Sequence, residues 1–120
     1  MHYQAAPFAE VKLVRCSRGA IYDVIVDLRP GSPTNAQWIG VELRAADGRM
    51  LYIPEGFAHG YQTLIDDTEV AYQMSVPHAP EAARGFRWDD PLFGIAWPEI
   101  EARVMSERDR CWPDYVPSSA

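Results

Sequence analysis

Short apolar or alternating runs, each cut by turn residues, fill the chain as far as Met74. Lys12-Leu-Val-Arg-Cys16 stops at Ser17-Arg18-Gly19, and the run from Ile21 to Leu28 stops at Arg29-Pro30-Gly31. The run from Trp38 to Leu43 meets Ala46-Asp47-Gly48, which predicts a hairpin with Met50-Leu-Tyr-Ile53. The runs from Ala58 to Ile65 and from Thr68 to Met74 flank Asp66-Asp67 and predict a second hairpin. Strands at roughly ten-residue spacing with Gly and Pro turns predict an all-β antiparallel sandwich or barrel. Within the second run, alternation sets Tyr22, Val24 and Val26 against Asp23, Ile25 and Asp27. The carboxylate-bearing face suits a polar barrel interior or solvent.

Beyond Met74 the pattern changes. Val76-Pro77-His78-Ala79-Pro80 cannot continue a central strand, because proline lacks the ladder donor. The stretch from Gly85 to Pro98 is rich in Trp, Phe, Asp and Pro and predicts an ordered loop packed by its aromatics. Residues 99–108 predict a short helix, since Ile100 and Val104 share a face. The tail over residues 113–120 is expected to be flexible and to fray from 116 onward.

A chain of 120 residues with no repeat fits one domain, residues 1–120. No run approaches the roughly 18 apolar residues of a spanning helix, and no basic-then-apolar leader opens the chain. The expectation is a cytoplasmic protein with Cys16 and Cys111 as free thiols. The net charge of −6 argues against broad nucleic-acid or anionic-membrane binding. There is no Cys-x-x-Cys, no glycine-rich phosphate loop and no Gly-x-Ser-x-Gly. The three histidines are His2, His59 and His78, and one strand histidine does not make a metal site, so none is expected. Read alone, His59 is a pocket-wall or satisfied core histidine, and Lys12 an edge lysine that blocks sheet pairing. Tyr72 reads as half-buried strand packing, and Asp109 as a solvated charge.

A longer correspondence runs through His2-Tyr3-Gln4, Pro7, Lys12-Leu13-Val14-Arg15, Tyr22-Asp-Val-Ile-Val-Asp-Leu-Arg29 and Gly31-Ser-Pro-Thr34. It continues through Trp38-Ile-Gly-Val41, Ile53-Pro-Glu-Gly-Phe-Ala-His-Gly60, Pro80-Glu81 and Arg84-Gly-Phe-Arg-Trp-Asp-Asp-Pro91. Gly94-Ile-Ala-Trp-Pro98 and Ser106-Glu-Arg-Asp109 complete it. On these motifs the chain resembles the dTDP-4-dehydrorhamnose 3,5-epimerase family, without that family's N-terminal segment. The resemblance implies a cupin-type jelly-roll β-barrel or sandwich with a short irregular or helical C-terminal segment. It also implies a homodimer that needs no metal or organic cofactor, acting on a dTDP-linked 4-keto-6-deoxyhexose.

In that family both inverted carbons flank the ketone, so removing either proton gives an enolate. By resemblance His2 matches the base, and Asp109 the carboxylate that sets its tautomer. Lys12 matches the cation beside the keto oxygen, and Tyr72 the acid that returns a proton from the opposite face. His59 and Asp23 match the polar lining that holds Lys12 and the sugar. His78 and Arg108 join them as substrate-binding residues. Three departures qualify this picture. Nothing upstream pins His2, His78 stands where relatives carry a pair of tyrosines, and Gln73-Met74 stands where they carry polar Lys/Thr-like residues. A non-catalytic nucleotide-sugar binder, an inactive fragment and an epimerase acting at one carbon are the alternatives.

Overall fold

The computed structural model describes residues 1–117. Eight strands run in order: β1 (His2–Gln4), β2 (Lys12–Arg18), β3 (Ala20–Asp27), β4 (Trp38–Arg44), β5 (Met50–Ile53), β6 (Phe57–Thr63), β7 (Glu69–Met74) and β8 (Ala83–Gly85). One helix follows, α1 (Glu107–Cys111). The strands form two antiparallel sheets, β4-β3-β6-β1-β8 and β5-β2-β7. The chain crosses repeatedly from one sheet to the other, and the result is an all-β jelly-roll barrel.

β3 is the centre of the fold, and its alternation resolves into two cores. Ile21 and Ile25 meet Val14, Cys16, Leu43 and Ile53 between the sheets. Val24 and Val26 pack on the other face with Met1, Ala58, Phe86 and Phe93, the last two from the segment that follows β8. Burial of Asp23 and Asp27 places the carboxylate face in the interior rather than in solvent. Asp27 is 1% exposed and fully engaged there. Arg29 donates to it three times at 2.9 Å, twice from the guanidinium and once from its backbone N–H, and Ser32 and Thr34 each donate at 2.6 Å. These donors, Arg29 foremost, hold its carboxyl well below the usual carboxylate range despite burial.

Both expected hairpins are corrected. β4 pairs with β3 while β5 pairs with β2, so Ala46-Asp47-Gly48 carries the chain between sheets. β6 pairs with β1 and β3, and β7 with β2, so Asp66-Asp67 is a second corner. Gly48 and Asp67 both adopt positive φ, which reverses the chain in either setting. The local turn is the same in a hairpin and at a corner; the faces to be buried decide the partner.

The expected helix over residues 99–108 is also corrected, to Glu107–Cys111. Ile100 is 47% and Val104 97% exposed, so they share no buried face to stabilise a helix. Ser106 instead accepts the Asp109 N–H at 3.2 Å and caps the helix where it does form. The loop from Gly85 to Pro98 is packed by its aromatics: Phe86 lies 4.6 Å from Phe93, and Trp97 donates to the Trp88 carbonyl.

Part of the stretch expected to be a flexible tail is docked. The buried Asp90 carboxylate accepts the Tyr115 N–H at 2.6 Å, and the Tyr115 ring packs on Phe86 and Phe93. Asp114 accepts from Arg87 at 2.6 Å. The rest of that expectation, residues 118–120, lies outside the described residues. No helix among the described residues is long and apolar enough to cross a membrane.

Candidate active site

His2 leaves β1 on the face that opens into a cleft of about 970 Å³. β1 is short, but it is paired on both sides, with His2 opposite His59 of β6 and Gly85 of β8. Met1 is buried in the outer core and its carbonyl accepts the Phe86 N–H. These pairings pin His2, contrary to the expectation of a loosely held base.

The second half of the pair arrives from the far end of the chain. α1 brings Asp109 Oδ1 to 2.6 Å from His2 Nε2. A carboxylate only accepts, so Nε2 carries the hydrogen and the neutral ring keeps its lone pair on Nδ1. Burial pushes the His2 pKa down, and the Asp109 hydrogen bond opposes that without cancelling it. Burial pushes Asp109 up, yet the His2 hydrogen bond and charge outweigh it and hold the carboxyl below its ordinary value. Near neutral pH the pair is therefore a neutral imidazole beside a carboxylate, the protonation state a general base needs.

Packing fixes where α1 ends. The Trp112 ring lies edge-on to His2 with centroids 6.0 Å apart, and the Arg108 guanidinium sits 5.2 Å over the same ring. A Cβ on Gly85 would meet Trp112 at 2.5 Å, so the missing side chain makes room for the indole behind His2. Further back, Arg103 stacks over Trp88 and hydrogen-bonds Gln62 and the Pro98 carbonyl, tying down the strap that leads to α1.

Lys12, His59, Tyr72, His78 and Arg108 line the same cleft as His2 and Asp109. Tyr72 is 56% exposed. Asp23 is the exception: it is wholly buried and does not face the cleft. It holds His59 Nε2 at 2.5 Å instead, which turns the other ring nitrogen of His59 away from it. The polar lining expected of Asp23 is therefore exerted through His59. Nor is Lys12 held by His59 or Asp23; its ammonium forms an ion pair with Glu10 at 3.0 Å.

Glu10 and Tyr61 are among the cleft residues that escaped the sequence reading. Tyr61 lies two after His59 on β6, where strand alternation was the available signal, whereas Glu10 precedes β2 and had none. Tyr61 is half-exposed, and burial, then Tyr72 and Asp23, push its pKa up, so it stays protonated. Buried polar atoms with no partner among the described residues are Glu10 Oε2, Asp23 Oδ2 and Trp112 Nε1. Those residues contain no group of three or more His, Cys, Asp or Glu side chains placed to hold a metal ion.

A barrel of facing sheets with a strand histidine, a carboxylate from the C-terminal helix, a lysine and a tyrosine around one cleft defines a cupin-type protein equipped for proton transfer. The family model described as dTDP-4-dehydrorhamnose 3,5-epimerase matches residues 1–116, and the chain belongs to that family. The dTDP-4-dehydrorhamnose 3,5-epimerase of Sinorhizobium fredii is 49% identical over 113 residues, covering 94% of this chain and 58% of its own length. A crystal structure of the Bacillus anthracis dTDP-4-dehydrorhamnose 3,5-epimerase with TDP and PPi bound superposes with a TM-score of 0.91 at 42% identity. It covers 95% of this chain and 65% of that one. A 3'-monoepimerase from Streptomyces bikiniensis in complex with dTDP-quinovose gives 0.87 at 35% identity, covering 94% and 57%. The chain thus spans less than two thirds of the length of these relatives.

Proposed function

We propose that the chain is a carbohydrate epimerase that inverts carbon 3, carbon 5 or both of a dTDP-linked 4-keto-6-deoxyhexose. The observation that carries this reading is the 2.6 Å His2–Asp109 pair opening into the cleft shared with Lys12 and Tyr72. Both carbons lie next to the ketone, so their protons are acidic once the oxygen is stabilised. His2 Nδ1 takes the proton, and Asp109 supports the imidazolium that forms. Lys12 places its ammonium at the oxygen where enolate charge develops. Tyr72, whose hydroxyl has no hydrogen-bond partner among the described residues, returns a proton to the opposite face, and inversion follows. His59, His78 and Arg108 contact the substrate, and Asp23 orients His59.

The relatives' names support the reaction class, and the nucleotide bound in the Bacillus anthracis structure supports the ligand class. The Streptomyces bikiniensis neighbour favours a second reading, inversion at carbon 3 alone. We further read the protein as a cytoplasmic homodimer. β5 and β7 end the smaller sheet with free ladder groups among the described residues, and a second copy would cover such edges.

Proton NMR of the chain with dTDP-4-keto-6-deoxyglucose in deuterated water tests the reading. Loss of the signals of both carbons, abolished by His2→Ala, is expected. Loss at carbon 3 alone selects the second reading. No exchange with folded protein overturns both.

A further inference from the structure

Glu10 is the least explained group in the cleft. Its side chain is 8% exposed, Oε1 forms an ion pair with the Lys12 ammonium at 3.0 Å, and Oε2 is buried with no partner among the described residues. A buried acceptor without a donor is costly, and an ionised carboxylate offers nothing but acceptance. Glu10 also lines the cleft beside Lys12. Oε2 is closed to solvent as it stands, so a small turn of the Glu10 side chain toward the cleft would bring it to a donor on the occupant, next to the group that Lys12 binds.

This step rests on the function proposed above, which puts a ketone oxygen at Lys12. Of the two carbons flanking that ketone, carbon 3 bears a hydroxyl. Carbon 5 bears the ring oxygen and a methyl group, neither of which donates. We propose that Glu10 Oε2 accepts a hydrogen bond from the hydroxyl vicinal to the ketone and is the residue that selects α-hydroxyketone sugars over their deoxy analogues. One carboxylate then bridges the enolate-stabilising ammonium and the sugar. It fixes which side of the ketone faces β2 and leaves the methyl side toward the open cleft.

The test compares dTDP-4-keto-6-deoxyglucose with its 3-deoxy analogue, using the full chain and Glu10→Gln. Glutamine keeps an oxygen for Lys12 and puts an NH2 where Oε2 stood, turning the acceptor into a donor. Deuterium exchange at carbon 5 can be followed with both sugars. The expected result is a drop of about tenfold or more in kcat/KM for the 3-hydroxy sugar and little change for the 3-deoxy sugar, as loss of one charged hydrogen bond predicts. Equal losses on both sugars would mean that Glu10 acts only by holding Lys12, and would overturn the proposal.

A binding arm separates this from failure of the parent reading. Dissociation constants for the two sugars are measured by calorimetry in His2→Ala, with and without Glu10→Gln. If the unaltered chain shows no exchange but binds the 3-hydroxy sugar more tightly, and Glu10→Gln erases that preference, the epimerase reading falls and the role of Glu10 stands. Equal affinity for the two sugars, or no binding, overturns it.

Discussion

His2 on β1 lies directly across from His59 on β6, and the Nε2 of each ring is taken by a carboxylate from elsewhere. Asp109 reaches His2 from α1, and Asp23 reaches His59 from β3. The two pairs differ in setting. The His2 pair is partly open to solvent, whereas Asp23 is wholly buried and His59 nearly so. The exposed pair can exchange protons with a ligand and with water. The buried one serves as a fixed wall.

That contrast gives a pH prediction. The His2 pKa is already held below its ordinary value near 6.5, chiefly by burial, with Asp109 opposing. The acid limb of kcat/KM should therefore fall below that value, because the base stays unprotonated. Asp109→Asn removes the opposing influence, so the limb should move to still lower pH while the plateau drops about a hundredfold. A pH–rate profile of both proteins checks this; a limb moving upward would contradict the pairing.

Asp23→Asn should act differently from Asp109→Asn. It disturbs a buried pair, and losing a charged buried hydrogen bond costs about 2–3 kcal/mol. Denaturant unfolding should show that loss, together with reduced turnover. Asp109→Asn, at the more exposed pair, should leave stability nearly unchanged.

Gly85→Ala forces a Cβ to within 2.5 Å of the Trp112 ring. The indole must move, and it backs His2 and adjoins the helix that carries Asp109. The expected outcome is loss of activity with substrate affinity less affected, read as a fall in kcat at nearly constant KM. Gly48→Ala, where a Cβ meets nothing within 4 Å but φ is positive, is the contrasting variant. It should cost about 1 kcal/mol of stability and leave kcat alone.

Asp27 should make the fold acid-sensitive. Its folded-state pKa lies well below the unfolded value near 3.9. Its stabilisation is therefore complete above that value and is lost as pH falls through it toward the folded pKa. Asp27→Asn should lower stability at pH 7 by about 3 kcal/mol and flatten the dependence between pH 5 and pH 2. Urea unfolding across that range measures both.

The sequence by itself determined most of the strands and put the candidate site residues forward. Turn residues and alternation are local, so β2 to β7 fall within two residues of their expected ends, and Met50–Ile53 matches at both. The motifs put His2, Lys12, Tyr72 and Asp109 forward before any contact was visible. Two short strands, β1 and β8, carried no periodic signal over three residues each.

Strand pairing was decided only by the tertiary structure. Gly48 and Asp67 reverse the chain identically in a hairpin or at a corner, and burial of β3 on both faces required the corners. Asp109 lies 107 positions from His2, and no local rule spans that distance; the Trp112–Gly85 contact and the Ser106 cap bring them together. The tertiary structure alone also decided where Asp23 and Glu10 lie. One carboxylate is sealed between sheets by neighbours distant in sequence, and the other pairs with Lys12 in the wall of the cleft.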